Sequence, residues 1–478
     1  MSLPLHQLAC SSLQIPRSCN KSLVFPKFAN KSGADPKRML ETRPRAASVG
    51  GSGAEYSEQL LGTERKRKTP SVAGVDQDEL LDPVSLADPD SFFCEFKGVQ
   101  IHHKICNEEE PMDYSFQNQT SSQLSNRILK IGFPIILLHG FGASVFSWNQ
   151  VMKPLAQIAG TKVLAFDRPA FGLTSRVSSF EHRSSDGEDA VALNPYSMAF
   201  SALATLFFID FLAAKKAILM GHSAGCLVAV DAYFEAPERV AALILVAPAI
   251  LAPRVSRTVS RENQTTREDQ IVDGSSISDV QENPFVRIVK TISKFFMYIV
   301  RATMQMMKTM MDMVSSLYQK ALSAILRSAF AVMLVRTIMD KFGRLAVRNA
   351  FYDVNRATDH VLHGYTKPLR VKHWDKALLE YTLAMLTDSS SKSKSPLSKR
   401  LAEISCPVLI ITGDYDRIVP SWNAKRLSQA IPGSCFEVIK NCGHLPHEER
   451  VEEFLSVVDR FLQRVFGAPE EQLLQATA

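Results

Sequence analysis

The stretch "AILMGHSAGCLVAV", residues 217–230, sets one serine between glycines two residues away on either side, after one apolar run and before another. The first run is short and apolar throughout, as a strand buried on both faces of a sheet must be, and the second is long enough to enter a helix. Upstream, "IGFPIILLHGFG" (131–142) and "TKVLAFDRPAFG" (161–172) have the same form. Downstream, "RVAALILVAPAI" (239–250), "CPVLIITGDYD" (406–416) and "CFEVIKNCGH" (435–444) continue it. Helix-length segments such as 196–213 lie between the runs, and "FFCEFKGVQIHHKIC" (92–106) reads as an antiparallel hairpin about a Lys-Gly turn. Strands alternating with helices predict an α/β fold with a mostly parallel, doubly wound sheet.

Gly-x-Ser-x-Gly between a buried strand and a helix is the pattern of a nucleophile elbow, which pushes a serine hydroxyl out at the carboxyl edge of the sheet. A serine alcohol is a weak nucleophile at neutral pH, so Ser223 needs a base within hydrogen-bonding reach and an acid to orient that base. Both are expected later in the chain, acid first. Asp416 in "GDYDRIVP" (413–420) and His444 in "NCGHLPHEE" (441–449) each begin a loop as a strand ends. Asp416 is preferred to Asp414 because it fits a Gly-x-x-Asp-x-x-Val-Pro spacing through Gly413, Val419 and Pro420. His444 is preferred to His447 because the Gly-His pair directly follows the strand. An oxyanion needs two fixed N–H donors, which Ala224, after the nucleophile, and Phe141, in "HGFGAS" (139–144), would supply from their backbones. His139 and His222 are read as packing or hydrogen-bonding residues, Cys226 as a small buried apolar residue, and Asp414 as a solvated or turn-capping residue.

With these four motifs in this order the chain resembles the α/β-hydrolase superfamily, in the lid-bearing branch that includes carbon–carbon bond hydrolases, epoxide hydrolases and esterases, and plant plastid-type members in particular. The resemblance runs from about residue 92 to 465, outside most of 251–402. Epoxide hydrolases and haloalkane dehalogenases carry aspartate at the elbow, so Ser223 departs from both. "DRPAFGLTS" places Ala170 where the family's Asp-x-x-Gly-x-Gly-x-Ser has its first glycine, and no chemistry is assigned to Asp167. The resemblance implies a serine hydrolase cleaving an apolar carboxylic ester or thioester, lipid-like or pigment-derived, without metal or organic cofactor. A carbon–carbon bond hydrolase with the same triad and a non-enzymatic small-molecule receptor on the same fold stay open as alternatives.

The chain has 478 residues and a formal net charge of +6, partly at its amino terminus, which makes no case for a nucleic-acid partner. Eight cysteines without CxxC pairs or metal-ligand spacing read as free thiols in a reducing compartment. Residues 1–34 hold six serines, four basic residues and no acid, so residues 1–50 are expected to be a transit peptide, to the chloroplast or alternatively the mitochondrion. Residues 51–91 are expected to be a disordered linker, 92–250 and 403–467 the two parts of the hydrolase core, and 468–478 a tail. Residues 251–402 interrupt the strand series as a helical lid with polar, flexible ends. In that lid Arg287, Lys294, Arg301 and Lys308 recur every seven residues amid a methionine-rich apolar sequence. The simpler expectation is a helix packed on the core and its neighbours; the alternative is peripheral membrane contact through 287–313. Oligomeric state is not legible.

Overall fold

The apolar runs pair side by side in a computed structural model of the chain, which describes residues 71–108, 131–177, 193–253, 284–387 and 397–467. In chain order the elements are β1 (Ser71–Val72), β2 (Val75–Asp76), β3 (Phe92–Phe96), β4 (Val99–Cys106), β5 (Ile135–Leu138), α1 (Asn149–Ala159), β6 (Val163–Phe166), α2 (Met198–Phe211), β7 (Ala217–His222), α3 (Ala224–Glu235) and β8 (Val240–Val246). Then follow α4 (Pro284–Leu326), α5 (Ala329–Ala350), α6 (Asp359–Thr366), α7 (Trp374–Thr387), β9 (Val408–Gly413), α8 (Ser421–Ala430), β10 (Cys435–Ile439) and α9 (Val451–Phe466).

Eight strands form one sheet in the order β10-β9-β8-β7-β5-β6-β4-β3. The six from β10 to β6 run parallel, and the β3–β4 hairpin closes one edge antiparallel to β6. Side chains alternate between faces, so one strand feeds two cores. Ile136, Leu138, Leu164 and Phe166 pack with Phe200 and Phe208 of α2 and Val228 of α3. Ile135, Leu137, Val163 and Ala165 pack with Val151 and Leu155 of α1 and Phe454 and Phe461 of α9. Continuous apolar strands are therefore a consequence of helices on both faces. The loops at the carboxyl ends of β5, β7, β9 and β10 then carry Phe141, Ser223, Asp416 and His444 to one edge.

Two expectations need correcting. Residues 71–91 were expected to belong to a disordered linker, yet they are ordered and open with the small β1–β2 hairpin. The segment is polar but pinned. Trp374 Nε1 donates to Gln77 Oε1 at 3.0 Å, Leu81 bridges to Val371, and Asp88 accepts from both Lys104 (2.9 Å) and Lys367 (2.6 Å). Second, the helix α4 was expected to pack on the core. From Ser293 to Val314 every residue is exposed, and packing begins only near its carboxyl end. The transit-peptide range 1–50, residues 51–70 of the proposed linker, the lid entry at 254–283, residues 388–396 of the lid exit and the tail 468–478 lie outside the described residues.

Candidate active site

Ser223 sits at φ +51°, ψ −115°, between the last residue of β7 and the first of α3. Non-glycine residues rarely occupy such backbone, and it is the conformation that lifts the side chain off the sheet edge. The neighbouring glycines are required by space. A Cβ on Gly225 would lie 2.1 Å from the Leu138 carbonyl oxygen, and one on Gly221 would lie 2.6 Å from the Cys226 nitrogen. The turn is also closed from outside, since Ser223 N–H donates to Val246 O at 2.9 Å. Ala224 begins α3, so its N–H is among those a helix leaves without an intrahelical acceptor. The "HGFG" loop lies directly against the elbow: a Cβ on Gly140 would fall 3.2 Å from Ser223 Cβ.

Asp416 and His444 meet across the ends of β9 and β10. His444 Nδ1 is 2.7 Å from Asp416 Oδ2, both side chains are buried, and the carboxylate fixes Nδ1 as the donor. The other carboxylate oxygen, Oδ1, accepts the N–H groups of Ile418 and Val419 at 2.8 Å each, which sets the carboxylate plane. Asp414, expected to be solvated or to cap a turn, instead joins the two loops by accepting Cys442 N–H at 3.2 Å. His222, next to Ser223, donates from Nε2 to the carbonyl of His444 at 2.9 Å, and the two rings lie 4.9 Å apart. Thus the structure gathers Ser223, Asp416 and His444, together with the Phe141 loop and the start of α3.

The walls of this site are apolar and hold their imidazoles neutral. His447 is fully buried, lies 4.3 Å from the Trp148 ring and 4.6 Å from that of His222, and burial, then the charge of His444, pushes it down to about 3. Burial likewise holds His222 well below the usual imidazole range. His139 is pushed down to about 4 by burial and by the charge of Arg168, and its Nε2 accepts Arg168 N–H at 3.0 Å. Phe141, Phe171 and Tyr381 form an aromatic group with centroid separations of 4.8 to 6.0 Å. Phe141 is 58% exposed and forms its outward rim.

Asp167 shapes the neighbouring loop. Burial alone would raise it, but the charge and hydrogen bond of His102, the charge of His139 and the N–H group of Leu173 hold it at about 2, and Val145 N–H donates to its other oxygen at 2.7 Å. In that loop Ala170 adopts φ +76°, the departure from glycine noted in the sequence. A Cβ is disfavoured at such φ, so Ala170→Gly should raise stability by about 1 kcal/mol, read as a higher midpoint in urea unfolding. Sequence reasoning passed over Arg168. Its guanidinium is fully buried, its three nitrogens donate to no acceptor among the described residues, and it stands 5.3 Å over Phe171 and 6.0 Å over Tyr381. Only its place after Asp167, at the end of a strand aimed at the site, could have signalled it.

Glu448 was missed too. It is buried, accepts Tyr365 Oη–H at 2.5 Å, and burial raises its carboxyl to about 8. The folded chain therefore keeps a proton that the unfolded chain loses near 4.5, so this group's stabilisation is complete below about pH 4.5 and is lost as pH rises through 8. Glu448→Gln should reduce the fall in thermal midpoint between pH 5 and pH 9, a difference of a few kcal/mol in the wild type. Parallel slopes for the two proteins would refute the assignment.

The sequence model described as the alpha/beta hydrolase family matches residues 135–457. Among curated proteins, the Caenorhabditis elegans "Abhydrolase domain-containing protein abhd-5.2" is 38% identical over 121 residues, 25% of this chain and 24% of the worm protein. The Klebsiella pneumoniae "2-hydroxy-6-oxononadienedioate/2-hydroxy-6-oxononatrienedioate hydrolase" is 23% identical over 338 residues, 69% of this chain and 87% of that protein. The chain therefore spans about a quarter of the worm protein and most of the bacterial one. Among solved structures, a thermophilic esterase from Thermogutta terrifontis aligns with 77% of this chain and 94% of its own at 17% identity and a TM-score of 0.43. The family match covers well over half of the sequence and all four strand-end loops of the site, and the chain belongs to the alpha/beta hydrolase family.

Proposed function

We propose that the protein is a serine hydrolase that cleaves an apolar carboxylic ester or thioester. The observation that carries the reading is the buried 2.7 Å Asp416–His444 pair, tied at the His444 carbonyl to His222, the neighbour of a serine held at positive φ. Ser223 Oγ attacks the substrate carbonyl carbon while His444 Nε2 takes the hydroxyl proton. The carbonyl oxygen becomes an oxyanion that accepts the N–H groups of Phe141 and Ala224. Collapse breaks the bond to the leaving alcohol or thiol, which receives the proton from His444 and departs. Water, deprotonated by His444, then attacks the acyl-serine, and its collapse returns the proton to Ser223 Oγ and frees the acid. Asp416 keeps the proton on Nδ1, so that Nε2 is the basic nitrogen. Exposed Phe141 and the aromatic group behind it support an apolar acyl chain.

Mixing the full chain with p-nitrophenyl esters of two to twelve carbons, and following nitrophenolate release and the mass of the Ser223 peptide, tests this. A burst with an acyl adduct on Ser223 and preference for longer chains is expected. Absence of both adduct and turnover would refute the reading. The name of the bacterial relative favours a second reading, hydrolysis of a 2-hydroxy-6-oxodienoate by the same residues. Turnover of such a compound, with none of any ester, would select it.

A further inference from the structure

Helix α4 turns its apolar side away from the protein. At 100° per residue, Phe295, Ile299, Met306, Met310, Val314 and Leu317 share one side, and the apolar arc around them covers roughly 200°. All six are exposed, Met306 to 72% and Leu317 to 59%. The opposite side carries Lys294, Arg301, Lys308, Asp312 and Gln319. A lid helix built to cover a core does the reverse. Where α4 packs, it does so through Ser315, Gln319, Leu322, Ser323 and Leu326, which are half-buried and lie on or beside the polar side. Thr303, in the middle of the apolar side, directs its hydroxyl back to Ile299 O at 3.0 Å and so presents its methyl group outward as part of the apolar side. After a bend of 62°, α5 adds a second exposed apolar row at four-residue spacing: Phe330, Leu334, Ile338 and Phe342.

We infer that this surface docks the protein on an anionic lipid bilayer, with α4 lying in the interface. The apolar arc is too wide for the narrow seam through which helices of two copies would pair. Methionine and phenylalanine in a broad arc, with lysines and arginines on the other side, suit acyl chains below and acidic headgroups around. Charge complementarity is one-sided: from Ser293 to Leu326, Lys294, Arg301, Lys308 and Lys320 face a single acid, Asp312. Among the described residues no single helix is long and apolar enough to cross a membrane. A 34-residue interfacial segment (Ser293–Leu326) is about 50 Å of helix lying along the surface. The helix is anchored to the rest of the protein by Arg327, paired through two nitrogens with Glu380 at 2.6 and 2.9 Å, next to the Tyr381 of the site's aromatic group.

Sedimentation of the full chain with vesicles of phosphatidylcholine alone, or with 30% phosphatidylglycerol, tests the inference. Tight binding to the anionic vesicles, weakened at least tenfold without the phosphatidylglycerol, is expected. Met306→Asp/Met310→Asp should weaken it by at least tenfold, and Lys294→Gln/Lys308→Gln by roughly twenty-five-fold, at about fivefold per basic residue. These side chains are exposed, so the melting temperature of each variant should stay unchanged, and that measurement separates lost docking from lost folding. Binding that is absent, or equal for wild type and both variants, would overturn the inference. So would a dimer in light scattering that the aspartate pair dissolves, which would assign the surface to a second copy.

Discussion

Ser223→Ala should leave a folded protein whose ester turnover falls by a factor of the order of 10⁵ and whose labelling by a fluorophosphonate disappears. On the proposed mechanism the fall is large because the serine, base and acid act as one unit, and what remains is the orientation and oxyanion binding that the backbone still provides. Ser223 is also strained, at φ +51°. Alanine keeps that strain, whereas glycine relieves it. Ser223→Gly should therefore be equally inactive yet more stable than Ser223→Ala by about 1 kcal/mol, seen as a higher urea midpoint. Equal stability of the two variants would mean that the elbow stores no strain, and residual labelling of either would place the reactive group elsewhere.

The second large effect concerns the acid. In Asp416→Asn the two backbone donors, Ile418 and Val419 N–H, continue to demand an acceptor at the Oδ1 position. The amide nitrogen is thereby directed at His444 Nδ1, where the carboxylate stood at 2.7 Å. A donor there stabilises the opposite tautomer, with the proton on Nε2, and that nitrogen can no longer take a proton from Ser223. Turnover should drop about 10⁴-fold at neutral pH with little change in KM or melting temperature. Asp414→Asn removes no contact to His444 and should lose less than tenfold. A similar loss from both substitutions would show that the loop, not the carboxylate's hold on the imidazole, limits the reaction.

Different parts of this molecule were legible for different physical reasons. The central strands could be read because helices on both faces leave no position on them for a polar side chain. Ser223 could be read because only glycines fit beside it, and Asp416 and His444 because each follows a strand at the edge where Ser223 emerges. Residues 71–91 misled because their order depends on partners remote in sequence. Gln77 is held by Trp374 and Asp88 by Lys367, 297 and 279 residues away. Their polar, proline-containing sequence has no local periodicity to announce this. The amphipathic pattern of α4 was visible, but periodicity gives two sides and not which of them meets the protein. Arg168 and Glu448 were hidden for the same reason, since burial of a charged residue is a tertiary fact.

The fold's division into a core and an inserted cap is less clean than the chain order suggests. His444 N–H donates to the carbonyl of Ala350, the last residue of α5, at 2.6 Å. Glu449 accepts Gly443 N–H on one side and the N–H groups of Tyr352 and Asp353 on the other, at 2.7, 3.0 and 2.8 Å. The loop that carries the histidine is thus bracketed by chain from the insertion. Cap exchange between relatives would have to carry the junction 350–353 with the recipient's own Glu449 loop. A graft that stops short of it would deliver a new binding surface while stripping the His444 loop of the contacts that bracket it.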